Sequence, residues 1–346
     1  RGVDVRIMVD SLGSMRPAHS DLRAVETCAA DAGFMRNAKG QVTTKKARVQ
    51  VVIFNAISKL NFNRRSHDKL LVVDGFFPDR AAVITGGRNI SLDYYGINED
   101  GTEDLDAFRD LEILLRPGDY SNDEDYTVGK VSEIYNTLLF VHKGNRRIRP
   151  LAADDEFSEG EYDDIYVYHY KKGQQSLATL KAFPEIKRRM DKMSAYMSED
   201  FHETEVRLSH QLGNLTSKQV TTNVVENLER NPNSILYLIH KILDDAKARG
   251  IASGSLQIVS PYLFSGVYYD EDGALIYDGA KETLQWLSEN PDFRVEIVTN
   301  SVMTSDNFFT QAIIDMDMAP RFLLTPELQK TWLSSREKGE FNPDVV

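Results

Sequence analysis

Two stretches decide the fold of this chain: HDKLLVVD at residues 67–74 and TGGRNIS at residues 85–91. The first contains a run of leucine and valine that is typical of a buried strand, and residues 81–85 predict its partner strand. Side chains alternate between the two faces of a strand, so we expect His67 and Lys69 on the same side, about 6.5–7 Å apart at the backbone. The two stretches therefore predict paired strands that carry a histidine and a lysine side by side.

The side chains of these stretches suit a ligand that contains phosphate. Lys69 supplies a cation that offsets negative charge, and His67 supplies a nucleophile or a proton carrier. Gly87 and the glycine before it let the backbone approach a ligand closely, and Asn89 can donate its amide hydrogens to a phosphoryl oxygen. Asp74 falls on the opposite face, which favours a turn or an orienting role over contact with a substrate.

Each feature alone is weak, because a His-x-Lys motif recurs by chance and a glycine pair most often marks a turn. Their conjunction is more specific: His-x-Lys, four residues, Asp, and then Gly-Gly-x-Asn resembles the signature of the phospholipase D superfamily. The spacing departs from that family in one place, since the eleven residues between Asp74 and Gly86 are more than the family usually has. Residues 76–80 contain Pro78 and predict an enlarged hairpin loop there.

The resemblance implies an α/β fold of two similar halves, with mixed sheets flanked by helices, packed about a pseudo-twofold axis. The first half is expected at residues 1–145, a connecting helical and acidic-loop region at 146–233, and the start of an incomplete second half at 234–346. The resemblance also implies an enzyme similar to cardiolipin synthase, namely a phospholipid phosphodiesterase or phosphatidyltransferase that acts through a phosphohistidine intermediate.

The resemblance also implies roles for individual residues. His67 would be the nucleophile, with Lys69 and Asp74 in the catalytic set, and Gly87 and Asn89 would help to hold the phosphoryl oxygens. A histidine of the other half would protonate the leaving alcohol and then activate water or an incoming alcohol. The scheme requires no metal ion and no cofactor. Its partner is a phospholipid at a membrane surface, which implies a bacterial cell envelope or membrane periphery.

The composition is that of a globular protein, with 41% hydrophobic and 27% charged residues in a chain of 346. No apolar run reaches the roughly 20 residues of a membrane-spanning helix. The single cysteine, Cys28, excludes an intramolecular disulfide, and we expect it to be a small core residue of a helix.

The net charge of −12 disfavours a general nucleic-acid binder, which needs a basic surface to displace counterions from phosphates. A local basic patch would escape that argument, and Lys69 and Arg88 could form one. Arg64 and Arg65 fit such a patch and a solvated loop equally well. A phospholipase D-like nuclease is therefore the less favoured alternative, and an inactive fragment is a third.

Hydrophobic periodicity places the remaining elements. It predicts strands at residues 3–9, 47–55, 108–115, 256–262 and 294–300, and helices at 17–32, 128–141, 177–197, 218–228 and 234–249. The order strand, helix, strand, strand, strand in the first part suggests helices that cover a mixed sheet. Seven carboxylates at residues 154–164 favour a solvated acidic loop over a calcium site, because the alternating spacing of a calcium loop is missing.

The strand at 294–300 can be laid on residues 4–10 with an offset of 294 − 4 = 290. A second catalytic histidine would then fall near 67 + 290 = 357, and no second His-x-Lys with the same spacing to Asp occurs in the 346 residues. We therefore expect the sequence to be a piece of a longer protein.

Overall fold

The computed structural model describes residues 3–10, 20–31, 34–36, 39, 41–46, 48–55, 66–90, 94–96, 98, 102, 104–108, 110–118, 126–149, 191–192, 195, 200–210, 212, 235–260, 267–269 and 272–300. The chain divides into two compact units, Arg1–Val220 and Thr221–Val346. Their described elements form a mixed α/β structure of small sheets and a few helices. The predicted boundaries near residues 145 and 233 remain predictions.

The described elements of the first unit are eight strands and two helices. In chain order they are β1 (Asp4–Asp10), α1 (Ser20–Asp31), β2 (Phe34–Arg36), β3 (Val42–Lys46), β4 (Arg48–Phe54), β5 (Leu70–Val73), β6 (Ala82–Gly86), β7 (Glu112–Leu115), α2 (Val128–Phe140) and β8 (Arg146–Arg147).

The first sheet of this unit joins β1, β4 and β8 in that order. β1 and β4 run parallel, and α1 lies in the connection between them, as parallel strands require a crossover. Val51, Ile53 and Ile148 form a buried cluster against which Leu22 of α1 packs. The backbone amide of Val51 donates to the buried carboxylate of Glu26 at 2.5 Å. This bond ties α1 to the centre of the sheet.

The second sheet is antiparallel and joins β5, β6 and β7. Its first hairpin turns through residues 74–81. There the amide of Phe77 donates to the carbonyl of Asp74 at 2.8 Å, and the amide of Ala81 donates to the carbonyl of Phe77 at 2.7 Å. These consecutive turns form the enlarged loop that Pro78 and its neighbours predict.

Helix α2 packs against strands of both sheets. Tyr135 of α2 is buried with Phe54 of β4, and Leu70 of β5 packs against the same cluster. The start of α2 comes close to the β5–β6 turn, where a Cβ atom on Gly75 would lie 2.5 Å from the carbonyl oxygen of Gly129. The helix is therefore in contact with both ends of β5.

The second unit contains α3 (Ile235–Ala248), β9 (Gly254–Val259), β10 (Val267–Tyr269), β11 (Leu275–Asp278), α4 (Gly279–Glu289) and β12 (Phe293–Val298). β9 and β12 are parallel, and β10 and β11 are antiparallel. Trp286 of α4 packs edge-on against Phe293, with 5.0 Å between the ring centroids. None of the described helices has the length and apolar character needed to cross a membrane.

The strand predicted at residues 67–74 is shorter and less buried than expected. β5 begins only at Leu70. The ammonium of Lys69 donates to the carbonyl of His67 at 3.1 Å, and such a side-chain bond competes with the ladder of a sheet. Leu71 is 55% exposed, so β5 buries one face and not two.

The strand predicted at residues 108–115 also begins late, at Glu112. The carboxylate of Asp110 accepts the backbone amide of Leu111 at 2.7 Å, which draws that donor away from strand pairing. The described strands of the first unit form three small sheets rather than one mixed sheet. The short hairpins β2–β3 and β10–β11 were missed, since strands of three to five residues give too little periodicity. Helix α4 was missed as well.

Several predictions fall outside the described residues. These are the acidic loop at 154–164, the helix at 218–228, nearly all of the helix at 177–197, the side chain of Cys28, and Arg64 with Arg65.

Candidate active site

The hairpin of β5 and β6 brings the two decisive stretches together. Leu70 lies opposite Thr85 in the antiparallel register. Continuing that register by one residue places Lys69 beside Gly86, with His67 two residues further along the same edge. The start of the His-x-Lys stretch and the end of β6 therefore meet at one end of the second sheet.

His67 and Lys69 lie on the same side of the chain, as their spacing predicts. The Lys69 Nζ atom is 3.3 Å from the His67 Nε2 atom. A lysine ammonium can only donate, so this contact is a hydrogen bond when the Nε2 atom carries no proton and accepts. The lone pair on Nε2 is the group that a histidine nucleophile uses, and Lys69 holds a positive charge beside it.

The electrostatic surroundings of Lys69 pull in two directions. Partial burial lowers the pKa of its ammonium, and the carboxylates of Asp68, Asp110 and Asp10 oppose this lowering. Asp10 ends β1 and Asp110 precedes β7, so the first and second sheets each bring a carboxylate towards the lysine. The sequence pattern predicted only that Asp10 and Asp110 belong to strands. The strand register indicates that Asp110 lies near the glycine pair, because Glu112 pairs with Gly86 and Asp110 comes two residues before Glu112.

The carboxylate of Asp68 is bound by two hydroxyl groups. Its Oδ2 atom accepts a hydrogen bond from the hydroxyl of Tyr135 at 2.6 Å and a longer one from Ser66 at 3.4 Å. Tyr135 is 3% exposed and lies in the core of the first unit. Its ring is tilted against that of His210, 6.3 Å away, and burial lowers the pKa of His210. The middle residue of the His-x-Lys motif is thus anchored to helix α2.

The glycine pair makes room for the protein itself. A Cβ atom on Gly86 would lie 2.2 Å from the carbonyl oxygen of Leu111, and one on Gly87 would lie 2.3 Å from the Asp110 Oδ1 atom. The amide of Gly87 also donates to the carbonyl of Leu111 at 3.3 Å. Close approach of the segment before β7 therefore explains both glycines without a ligand, and contact of Gly87 with a phosphate stays a prediction.

Asn89 follows the glycine pair and is exposed. Its Nδ2 atom donates to the hydroxyl oxygen of Tyr94 at 3.1 Å, and the Tyr94 ring packs against Phe108 with 5.1 Å between the centroids. The aromatic contact orients the amide at the mouth of the site. Ile90, the next residue, is 95% exposed and places an aliphatic side chain there.

Arg88 is engaged by the protein. Its Nε atom lies 3.3 Å from a carboxylate oxygen of Glu112, and its guanidinium donates to the carbonyls of Asp110 and Tyr94. It also lies over the ring of Tyr95, 5.8 Å from the centroid. The residue that was expected to extend a basic patch instead holds the 94–96 loop in place.

Asp74 lies at the other end of β5. The strand rises about 3.3 Å per residue, so Asp74 is roughly 16 Å from Lys69 along the chain. It adopts a positive φ of 47° in the hairpin turn, and its carboxylate is 3.6 Å from Arg80 Nε. The structure brings His67, Lys69, Gly87 and Asn89 to one end of the sheet and does not bring Asp74 to them. Asp74 instead has the position of a turn residue.

The site thus combines a histidine, a neighbouring cation that contacts its Nε2 atom, and an amide donor. This set can attack and hold a tetrahedral anion such as a phosphodiester. In the described part of the chain, no group of His, Cys, Asp and Glu side chains could hold a metal ion. Comparisons with protein-family models, with curated proteins and with solved structures find no match for this chain.

Proposed function

We propose that this chain carries the nucleophilic half of a phospholipase D-type enzyme that cleaves a phospholipid phosphodiester or transfers its phosphatidyl group. The observation that carries the proposal is the 3.3 Å contact between Lys69 Nζ and His67 Nε2. It puts the imidazole nitrogen beside a cation, and attack on an anionic phosphorus centre uses an unprotonated imidazole with a cation close by.

The proposed reaction has two steps. The Nε2 atom of His67 forms a bond to phosphorus, and the bond from phosphorus to the leaving alcohol breaks, with the alcohol oxygen taking a proton from a second histidine. That histidine then removes a proton from water or from an acceptor alcohol. The oxygen of this molecule bonds to phosphorus, the phosphorus–nitrogen bond breaks, and His67 is regenerated.

Lys69 and Asn89 would stabilise the charge that develops on the phosphoryl oxygens. Lys69 offsets it with an ammonium, and Asn89 offers an amide that Tyr94 already orients. The backbone amide of Gly87 donates to Leu111, so it is a weaker candidate for phosphate binding than either side chain.

A lipid substrate is favoured over a nucleic acid. The net charge is −12, and Arg88 is paired with Glu112 instead of extending a basic surface. The exposed side chain of Ile90 lies one residue from Asn89, where an acyl chain or a membrane surface would cover it. We place the enzyme at the periphery of a bacterial membrane on the same grounds.

The scheme needs a second histidine at the leaving oxygen. We propose the two-halved phospholipase D fold as its source, because β9 and β12 form a parallel pair in the second unit as β1 and β4 do in the first. No second His-x-Lys with the spacing to Asp occurs in the 346 residues. We therefore expect these residues alone to form the covalent intermediate without completing turnover on a natural lipid.

A leaving group that departs as a stable anion isolates the step assigned to His67. The p-nitrophenyl ester of a short-chain phosphatidic acid needs no proton on its leaving oxygen, and the p-nitrophenyl ester of thymidine 5′-phosphate is its nucleotide counterpart. We expect the lipid ester to release one equivalent of p-nitrophenolate per chain and to add a phosphatidyl group to the chain mass.

His67→Asn should abolish this release, and His202→Asn, a change at an exposed histidine outside the hairpin, should leave it unchanged. Labelling by the nucleotide ester alone would make the protein a nuclease. Absence of label from both esters in the folded protein would refute the proposed function.

A further inference from the structure

The middle residue of the motif, Asp68, presents a problem for an anion site. Its carboxylate belongs to the residue next to Lys69, and it heads the carboxylates that raise the pKa of Lys69. A carboxylate that turned towards the ammonium would pair with it and would repel an incoming phosphodiester. Something must therefore keep this carboxylate turned away if Lys69 is to bind an anion.

The hydroxyl of Tyr135 can hold the Asp68 carboxylate in this way. It donates to the Asp68 Oδ2 atom at 2.6 Å, a length typical of a hydrogen bond to an ionised acceptor. Ser66 reaches the same oxygen from the chain itself at 3.4 Å.

Tyr135 is rigidly placed. It is 3% exposed, packs with Phe54 and Leu139, and stands in the middle of helix α2. A side chain fixed by packing loses little further conformational freedom when it holds a partner, so the hydrogen bond retains most of its strength.

We propose that Tyr135 is a positioning residue that keeps the Asp68 carboxylate away from Lys69 and so preserves the lysine charge for the substrate phosphate. The inference rests on the anion-binding role proposed for Lys69. Tyr135 touches neither the substrate nor the reacting atoms in this account, and it acts only through Asp68.

The test compares three variants: Tyr135→Phe, Asp68→Asn and the double variant. Tyr135→Phe keeps the ring in the core and removes only the hydroxyl. We expect it to weaken sulfate binding, measured by calorimetry, about three- to tenfold, because the released carboxylate competes for the ammonium. Asp68→Asn in the Tyr135→Phe background should restore the affinity, since no carboxylate remains to compete.

A purely structural role predicts a different pattern. If the hydroxyl merely stabilised the fold, the double variant would bind sulfate as weakly as Tyr135→Phe, and that result would overturn the inference. Unchanged affinity in Tyr135→Phe would overturn it as well. Tyr126→Phe, at an exposed tyrosine just before α2, is the matched control and should bind sulfate normally.

A second readout needs no ligand and so separates this inference from the proposed function. The pKa of the Lys69 ammonium, followed by NMR of 13C-labelled lysine, should rise in Tyr135→Phe as the carboxylate approaches and fall in Asp68→Asn. A correct pKa pattern without sulfate binding would refute the anion site and leave the positioning role standing. Should Tyr135→Phe fail to fold, Ser66→Ala removes the other donor and should shift the pKa in the same direction by less. An unchanged pKa there would count against the proposal.

Discussion

Replacing Lys69 with alanine removes the cation that the proposed site depends on. The ammonium lies 3.3 Å from the His67 Nε2 atom and is partly buried, so its interaction with an anion is less screened than that of a surface lysine. Hydrogen bonds to charged groups contribute about 1.5–3 kcal/mol. Since about 1.4 kcal/mol corresponds to a tenfold change in affinity, Lys69→Ala should weaken sulfate binding roughly 10- to 100-fold.

The carboxylates around Lys69 favour a loss of sulfate affinity near the upper end of this range. Asp10, Asp68 and Asp110 all act on Lys69, and the alanine variant leaves their negative charge without the ammonium that offsets it. An anion entering the variant site would meet repulsion in addition to a lost attraction.

Isothermal titration of the folded protein with sulfate measures the effect directly. Lys143→Ala, at an exposed lysine after α2, is the matched control and should bind sulfate like the unaltered protein. Circular dichroism should show the same thermal unfolding for both variants within a few degrees. Sulfate affinity of Lys69→Ala within twofold of the unaltered protein would refute the assignment of Lys69 to the anion site.

Three further predictions concern neighbouring features of the site. Because burial lowers the pKa of Lys69, sulfate affinity should decline with rising pH before an ordinary lysine loses its proton, and Lys69→Arg should move the decline to higher pH. Gly87→Ala should lower the free energy of unfolding by about 0.5–1.5 kcal/mol in urea titrations, because its Cβ atom would displace the Asp110 carboxylate from its hydrogen bond with the Leu111 amide. Ile90→Ser should weaken binding to phosphatidylglycerol vesicles about tenfold in a sedimentation assay, because Ile90 is 95% exposed beside Asn89.

Each of these has a control and an opposing result. The lowered pKa of Lys69 also affects stability. Because the fold disfavours the charged lysine, the unfolded chain binds more protons between the lowered and the ordinary pKa. The contribution of Lys69 to the free energy of unfolding therefore rises with pH in that window. A decline in sulfate affinity at the same pH for lysine and arginine would exclude Lys69 as its source.

For the glycine, adding Asp110→Ala to Gly87→Ala should restore much of the lost stability. Full stability of Gly87→Ala alone would contradict the steric argument. For Ile90, Val141→Ser at another exposed aliphatic residue should not alter vesicle binding. Equal losses in the two variants would show that the contact with lipid is not localised at the site.

The local part of the site was predictable and the long-range part was not. Alternation along residues 67–74 placed His67 and Lys69 on one side and Asp74 on the other, because the side-chain period of an extended chain is fixed by its geometry. The turn-forming residues at 76–80 likewise predicted the hairpin from local sequence alone.

The remaining contacts depend on how distant segments pack. Tyr135 and Asp68 are 67 residues apart in sequence, and nothing in the pattern of either segment indicates their hydrogen bond. The reason for the glycine pair was likewise hidden, since it lies in the Leu111 carbonyl and the Asp110 carboxylate, both in the segment just before β7. Even β5 was predicted too long. Strand propensity does not reveal that the Lys69 side chain donates to the carbonyl of His67.

The covalent intermediate at His67 is the most direct test of the account. The protein is incubated with the p-nitrophenyl ester of a short-chain phosphatidic acid, digested at alkaline pH, where phosphohistidine survives, and examined by tandem mass spectrometry. The account predicts an acid-labile phosphatidyl adduct on the peptide that contains His67, carried by the imidazole and absent from His67→Asn. An adduct on any other residue, or release of p-nitrophenolate that persists undiminished in folded His67→Asn, would contradict it.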